Sequence, residues 1–265
     1  MKIGTVVEGP TDRLVLKAII EKLYPGDHDY LDLQPADNGD SFGRSGTGWK
    51  GVRRFCFDVW QSLDTDITTL ITDYQIDLLI IHADADIAFE PDLQEDTIHP
   101  VGNVSQPCPP ILPTVENLKE VIARWLNLEG ADKFPSEAIL AIPAQDTENW
   151  LFAALFPDDA LCRKSDYECI HKGDDHRHPA YLMTLKGYRK ILKRKDGKIK
   201  KPVKRYRQVV GNVADNWNKV CEFCSQARTF NDKLMYKNIR EARQEYARGE
   251  VRKGTVDDLM GELSE

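Results

Sequence analysis

The run IDLLIIHAD, positions 76 to 84, constrains the fold more than any other segment. Leu78, Leu79, Ile80 and Ile81 are consecutive, and successive side chains of a strand point to opposite faces, so this strand is apolar on both. Such a strand must be covered on both sides, as in a parallel sheet between two layers of helices. The flanking sequence repeats the theme. Further strands are predicted over 2 to 7 (KIGTVV), 30 to 36 and 137 to 144 (EAILAIPA). Helical spacing of apolar residues predicts helices over 11 to 24, 51 to 63, 114 to 128 and 147 to 156. The expected fold class is α/β: a Rossmann-like core with a mostly parallel sheet of about four strands over residues 1 to 157, bounded by Pro157, Asp158 and Asp159. Residues 158 to 265 show no β periodicity and read as a mainly helical, basic region.

Charge is segregated along the chain. The formal net charge of −7 argues against a protein that simply coats nucleic acid. Residues 186 to 207 nevertheless hold twelve of the 36 Lys and Arg residues and one acid, Asp196. Hydrophobic residues at 41% and charged residues at 30% exclude a disordered chain. No apolar run approaches the roughly 20 residues of a membrane span, and MKIGTVVEG lacks a signal-peptide layout, so a cytoplasmic protein without membrane contact is expected. The six irregularly spaced cysteines then read as reduced thiols.

In a parallel α/β sheet, functional groups sit where strand C-termini open onto loops. Here those positions carry acids. Residues 2 to 7 run into Glu8, with Asp12 four residues on, and the run at 76 to 84 ends in Asp84 and Asp86, whose spacing would aim both to one side of an extended backbone. Clustered carboxylates raise one another's pKa unless cations neutralise them, and hard oxygen donors suit Mg²⁺ or Mn²⁺. Such ions polarise phosphoryl oxygens and generate hydroxide from water, which is phosphodiester chemistry. Plainer readings stand beside this one: Glu8 solvated or capping the next helix, Asp12 an ordinary first-turn acid, the DxD a turn.

The pair VVEGPTD and IIHADAD resembles the Toprim signature, and the variant with Asp four after Glu resembles nucleases of the OLD (overcoming lysogenization defect) type. The resemblance covers roughly residues 1 to 156. It implies a Rossmann-like core, dependence on two Mg²⁺ or Mn²⁺ ions, and cleavage of DNA or RNA. Carried over, Glu8 is a metal ligand and general acid or base, Asp12 shares its metal, and Asp84 and Asp86 bind the second. Small phage-defence Toprim proteins carry a similar acid and tryptophan after a strand, which implies Glu148 of IPAQDTENWLFA as a further ligand and an antiphage setting. Gln145 to Glu148 also reads as a helix start capped by Asp146 or Thr147.

A nuclease must hold a polyanion beside its acids. The candidate contacts are Arg189, Lys190, Lys193, Arg194, Lys200, Lys201, Lys204 and Arg205, with Tyr188 and Tyr206 either stacking on bases or anchoring the segment to the core. Lys186 or Arg189 would stabilise charge on the scissile phosphate, so the expected catalytic set is Glu8, Asp84 and Lys186. The loop DNGDSFGRSGTGWKGVRRF contains a GxGxxG match at Gly46, Gly48 and Gly51, but Trp49 stands where a P-loop needs lysine. Phosphate-backbone contacts from Arg44, Lys50, Arg53 and Arg54 are its favoured reading, and a plain linker the alternative. Cys162, Cys169, His171, His176, His178 and the pair Cys221 and Cys224 raise a structural zinc site, although their spacing matches no standard module. The expectation is a metal-dependent endonuclease. Its rivals are a primase-like nucleotidyl transferase using the same acids, and a non-catalytic nucleic-acid-binding subunit. Without an ATPase motif in the chain, regulation by nucleotide would need a separate ATPase or sensor protein.

Overall fold

A computed structural model describes residues 1–35, 46–61, 65–94, 108–171 and 176–248. Strand β1 (Lys2–Val6) leads through Gly9 and Pro10 into helix α1 (Pro10–Leu23), with proline at a first-turn position where no backbone donor is needed. β2 (Asp29–Gln34), α2 (Trp49–Gln61), α3 (Ile67–Asp73) and β3 (Leu78–His82) follow. Asp66 caps α3 by accepting from Thr69 N at 2.7 Å. A short α4 (Pro91–Gln94), α5 (Leu112–Trp125), β4 (Ala138–Ala141) and α6 (Thr147–Leu155) complete the part that carries the sheet.

The sheet order is β2-β1-β3-β4, parallel at each pairing. The expected parallel sheet of four strands is therefore present. Alternation divides its side chains between two cores. Ile3, Leu78, Ile80 and Ile139 face α1 and α6, while Val6, Leu79, Ile81 and Leu140 face α2 and α5. Gly4 falls on the second face, where a Cβ would come 3.0 Å from Leu79 Cδ1 and 3.2 Å from Leu33 Cδ1. Only glycine fits there without displacing the core.

The remainder is helical: α7 (Pro179–Leu182), then α8 (Val203–Val209), α9 (Gly211–Asp215), α10 (Trp217–Phe223) and α11 (Ser225–Arg248). It does not form a separate core. Tyr206, Val213, Trp217, Phe230 and Leu234 belong to the same cluster as Ile3, Ile19 and Trp150, so the boundary at 157 divides composition but not packing. Among the described residues no helix is long and apolar enough to cross a membrane.

Two expectations need correction, and one helix was not predicted. Residues 158 to 265 do contain β structure: β5 (Lys193–Lys195) and β6 (Lys198–Lys200) pair antiparallel, joined by Asp196 at φ 51° and Gly197 at φ 74°. Two left-handed residues are what a two-residue hairpin turn requires and what Asp-Gly supplies. Strands made almost wholly of Lys and Arg carry no hydrophobic alternation, so periodicity could not reveal them. The six cysteines are not all thiols, because Cys108 and Cys169 form a disulfide across 61 residues, while Cys56, Cys162, Cys221 and Cys224 are free. Helix α3 lies between two predicted elements and is too short to announce itself by periodicity.

Candidate active site

Strand order reverses between β1 and β3, because the chain goes from β1 outward to β2 and then returns to β3 on the other side. Crevices at such switch points, beyond the strand carboxyl ends, are the usual ligand sites of open α/β sheets. Glu8 and Asp84 each stand two residues past their strands, at this point. The backbone N–H of Asp84 donates to Glu8 Oε1 at 2.9 Å. Asp12, in the first turn of α1 and 3% exposed, accepts the Thr147 hydroxyl at 2.6 Å on Oδ1. Thr147 opens α6, so the acid after β1 is tied to the loop after β4.

The DxD is extended only at Asp84, and Asp86 lies in a turn. Asp84 caps a 3-10 turn, Ala85–Phe89, that contains Asp86. Ala85 N donates to Pro143 O at 3.0 Å and Asp86 N to Gln145 O at 3.2 Å, which draws the turn against the segment leaving β4. Both acids are nonetheless buried, and the charge of Asp86 reaches Asp84. The site thus gathers Glu8, Asp12, Asp84 and Asp86 by a different local route from the one expected.

Two groups unforeseen at this site supply positive charge. His82, fully buried at the end of β3, lies with Nε2 3.1 Å from Asp84 Oδ1. Burial opposes its charge, but Asp84 prevails, with Asp12 and Glu8 adding to it, and the imidazole is pushed up to about 9. Lys201, expected as a contact to nucleic acid, instead places Nζ 2.6 Å from Glu148 Oε2. Burial again opposes the charge, and Glu148, then Asp12, Tyr206 and Asp84, lift the ammonium well above its ordinary value. Glu148 itself is fully buried, with Tyr206 OH donating to its other oxygen.

Charge remains crowded. Burial first, then Asp84 and Asp12, push Glu8 up to about 8 against the opposing pull of His82. Burial likewise raises Asp84, with His82 opposing and Asp12 and Asp86 adding. A carboxyl near 8 is a proton donor at neutral pH.

No family model, curated protein or solved structure matches the chain. Function must therefore be argued from these residues.

Whether the acids suit a divalent cation can be tested on their chemistry. Among the described residues no three His, Cys, Asp or Glu side chains are already arranged to hold a metal ion. Asp84, Asp12 and Glu148 are turned toward His82, Thr147, and Lys201 with Tyr206. The donor set is nevertheless all hard oxygen at its core, and burial with mutual repulsion raises Glu8, which is the condition a divalent cation relieves. Glu8, Asp12, Asp84 and Asp86 fit such an ion. Glu148 would have to release Lys201 first.

The other sequence candidates differ in their surroundings. Lys186 is exposed on a short turn, Lys186–Tyr188, and among the described residues makes no hydrogen bond or ion pair with the acids. Arg189, at φ 59°, lies 5.7 Å over the Phe156 ring, and the carbonyl of Lys190 accepts from Arg205. Lys193, Arg194, Lys200 and Lys204 are exposed, the first three on the hairpin. Tyr206 is fully buried and Tyr188 rests on Phe152 and Phe156 with its hydroxyl 3.0 Å from Asp159 Oδ2, so both are anchors and neither is a stacking platform.

In the glycine-rich loop, Arg44 lies outside the described residues. Gly46 and Gly48 have φ 84° and 73°, and a Cβ on Gly51 would meet Gly46 O at 2.8 Å. Gly48 N donates to the Glu8 carbonyl at 2.7 Å. The glycines thus serve a tight connection beside the acid strand. Trp49 stacks on Trp125 in the core, Lys50 pairs with Asp92, Arg53 lies over Phe57, and Arg54 is exposed. The zinc expectation finds no matching group among the described residues. Cys169 is in the disulfide, and His178 caps α7, its Nδ1 accepting from Ala180 N at 3.1 Å.

Proposed function

We propose that the protein is a Toprim-like nuclease that hydrolyses phosphodiester bonds of DNA or RNA with Mg²⁺ or Mn²⁺. The observation that carries this reading is the meeting of half-buried Glu8 with buried Asp84 across the switch point, with Asp12 and Asp86 beside them. When bound, a divalent cation would polarise a phosphoryl oxygen and make a hydroxide available at neutral pH. Glu8, Asp12, Asp84 and Asp86 are the residues that would hold it, and the resemblance implies a pair of ions.

The chain's own groups contribute the rest. In the metal-free protein the Glu8 carboxyl is raised to about 8, and a cation held beside it would return it to the carboxylate. His82 holds Asp84 in one orientation and balances its charge. The hairpin supplies the polyanion contact. Its register sets Lys193 opposite Lys200 and Lys195 opposite Lys198, and like charges directly across a strand pair are destabilising until an anion intervenes. A phosphate backbone is that anion.

The test is cleavage of supercoiled plasmid and of total RNA with Mg²⁺ or Mn²⁺, beside Glu8→Ala and Asp84→Ala variants and an EDTA control. Metal-dependent cleavage by the wild type alone is expected. Equal cleavage by all three proteins would remove the acids from the mechanism. Template-directed incorporation of nucleotide in place of cleavage would replace hydrolysis with the primase-like reading. The antiphage setting is tested by plaque assay, with any ATPase or sensor partner encoded beside the protein included.

A further inference from the structure

Both oxygens of one buried carboxylate are held by the basic segment. Glu148 sits in the first turn of α6 with Lys201 Nζ 2.6 Å from Oε2 and Tyr206 OH on Oε1. Lys201 is the residue directly after β6, and Tyr206 lies in α8 just beyond. The C-terminal end of the hairpin is therefore fastened inside the acid site. Thr147, next to Glu148, donates to Asp12, so the fastening touches the acid that follows β1 as well.

The two ends of this short stretch answer to different anions. Lys201 is drawn inward by Glu148, Asp12 and Asp84. Lys193, Arg194, Lys195, Lys198 and Lys200 are exposed, and Lys193 faces Lys200 and Lys195 faces Lys198 with like charge across the hairpin. One peptide unit separates the outermost inward cation from the nearest outward one. A strand advances about 3.3 Å per residue, so a modest displacement of β6 is comparable with the whole Lys201 to Glu148 contact.

We propose that Lys201 is a positioning residue that couples nucleic-acid docking to metal loading. In the free protein its ammonium holds Glu148 and competes with divalent cations for the acids. A polyanion bound along β5 and β6 draws Lys201 outward, and the carboxylates become available to metal. This rests on the nuclease reading above, in that the acids take the metal and the hairpin takes the nucleic acid. The coupling is reciprocal: whatever factor nucleic acid adds to metal affinity, metal adds to nucleic-acid affinity.

The experiment is a titration of Mn²⁺ into the full chain, followed by the electron paramagnetic resonance of free Mn²⁺, with and without a 20-nucleotide DNA or RNA oligonucleotide and with oligonucleotide-only blanks. For the wild type, oligonucleotide is expected to tighten Mn²⁺ binding about tenfold, a typical coupling between sites. Lys201→Met is expected to bind Mn²⁺ that much more tightly with no oligonucleotide present, and to gain far less on its addition. Lys201→Arg keeps the charge and should behave as the wild type. If Lys201→Met does not fold, as judged by its thermal melt, the triple variant Lys193→Ala, Arg194→Ala, Lys195→Ala decides. It should keep the wild-type Mn²⁺ affinity while losing the gain from oligonucleotide. Equal Mn²⁺ affinities and equal gains in wild type and variants would overturn the coupling and leave the metal site standing. Absence of Mn²⁺ binding in every protein would overturn the metal site and the coupling together.

Discussion

Glu8 and Asp84, 76 positions apart in the chain, are joined by a hydrogen bond of 2.9 Å from the backbone of one to the side chain of the other. The bond spans the two strands that flank the switch point, and it needs only an acceptor oxygen on residue 8. Glu8→Gln keeps that oxygen, whereas Glu8→Ala leaves the Asp84 N–H without it. Urea denaturation should place Glu8→Ala about 1 kcal/mol below Glu8→Gln. Both variants should lack cleavage activity, since neither can carry charge at this position.

Stability of the metal-free protein should fall as pH rises. Glu8 is raised from 4.5 to about 8 and His82 from 6.5 to about 9, so both bind protons more tightly in the folded state. The stabilisation they contribute is complete below their unfolded values and is lost as pH climbs through about 8 and about 9. Thermal melts in EDTA should show Tm decreasing from mildly acidic to alkaline buffer, and Glu8→Gln should flatten the lower part of that decrease. A Tm that rose over the same interval would contradict the arrangement of charges around Glu8.

Tyr206→Phe removes the hydroxyl that donates to the buried Glu148 and changes little else. Hydrogen bonds to charged groups contribute about 1.5–3 kcal/mol, so a destabilisation of that order is expected in chemical denaturation. A neutral effect would mean that Lys201 alone satisfies Glu148.

Alkylation of the unfolded, unreduced protein should label four cysteines, Cys56, Cys162, Cys221 and Cys224, and reduction should expose Cys108 and Cys169 as well. The pair Cys108→Ser and Cys169→Ser should cost about 2–4 kcal/mol, as expected for a bridge closing a loop of this length. Six labelled thiols before reduction would disprove the bridge.

Hairpin charges should appear in the salt dependence of nucleic-acid binding. Removing one cation that neutralises a phosphate lowers the logarithmic salt slope by about 0.7–0.9. Replacing Lys193, Arg194 and Lys195 by alanine should reduce the slope measured by fluorescence anisotropy, because all three are exposed. An unchanged slope would locate the polyanion elsewhere.

The sheet and its carboxylates were legible in the sequence because burial writes itself into continuous apolar runs, and acids directly after such runs stand out. Glu8, Asp12, Asp84 and Asp86 stand out in this way, and the fold brings them together. The contact of Lys201 with Glu148 is not legible in the sequence, since nothing local separates Lys201 from Lys200 or Lys198. Its partner Glu148 is 53 positions away, and only the tertiary fold, which also sets Tyr206 against Glu148, brings them together. His82 was visible in HADAD but read as part of a strand. The alternation that sets it on the same side as Leu78 and Ile80 was the signal available. The hairpin was hidden by its own charge, with the Asp-Gly turn its one local mark.

Helix α6 has all nine of its residues buried, between the sheet and the helices that follow. Catalytic acids and nucleic-acid contacts are often imagined as modules that evolution can trade separately. Here an exchange of the basic segment would have to deliver a new Tyr206 and a new Lys201 to the same carboxylate, or strand that carboxylate without a partner. Under the proposed nuclease reading, recognition and chemistry are thus bound to a common lineage, and changes in what the hairpin grips should leave a trace in the acid site.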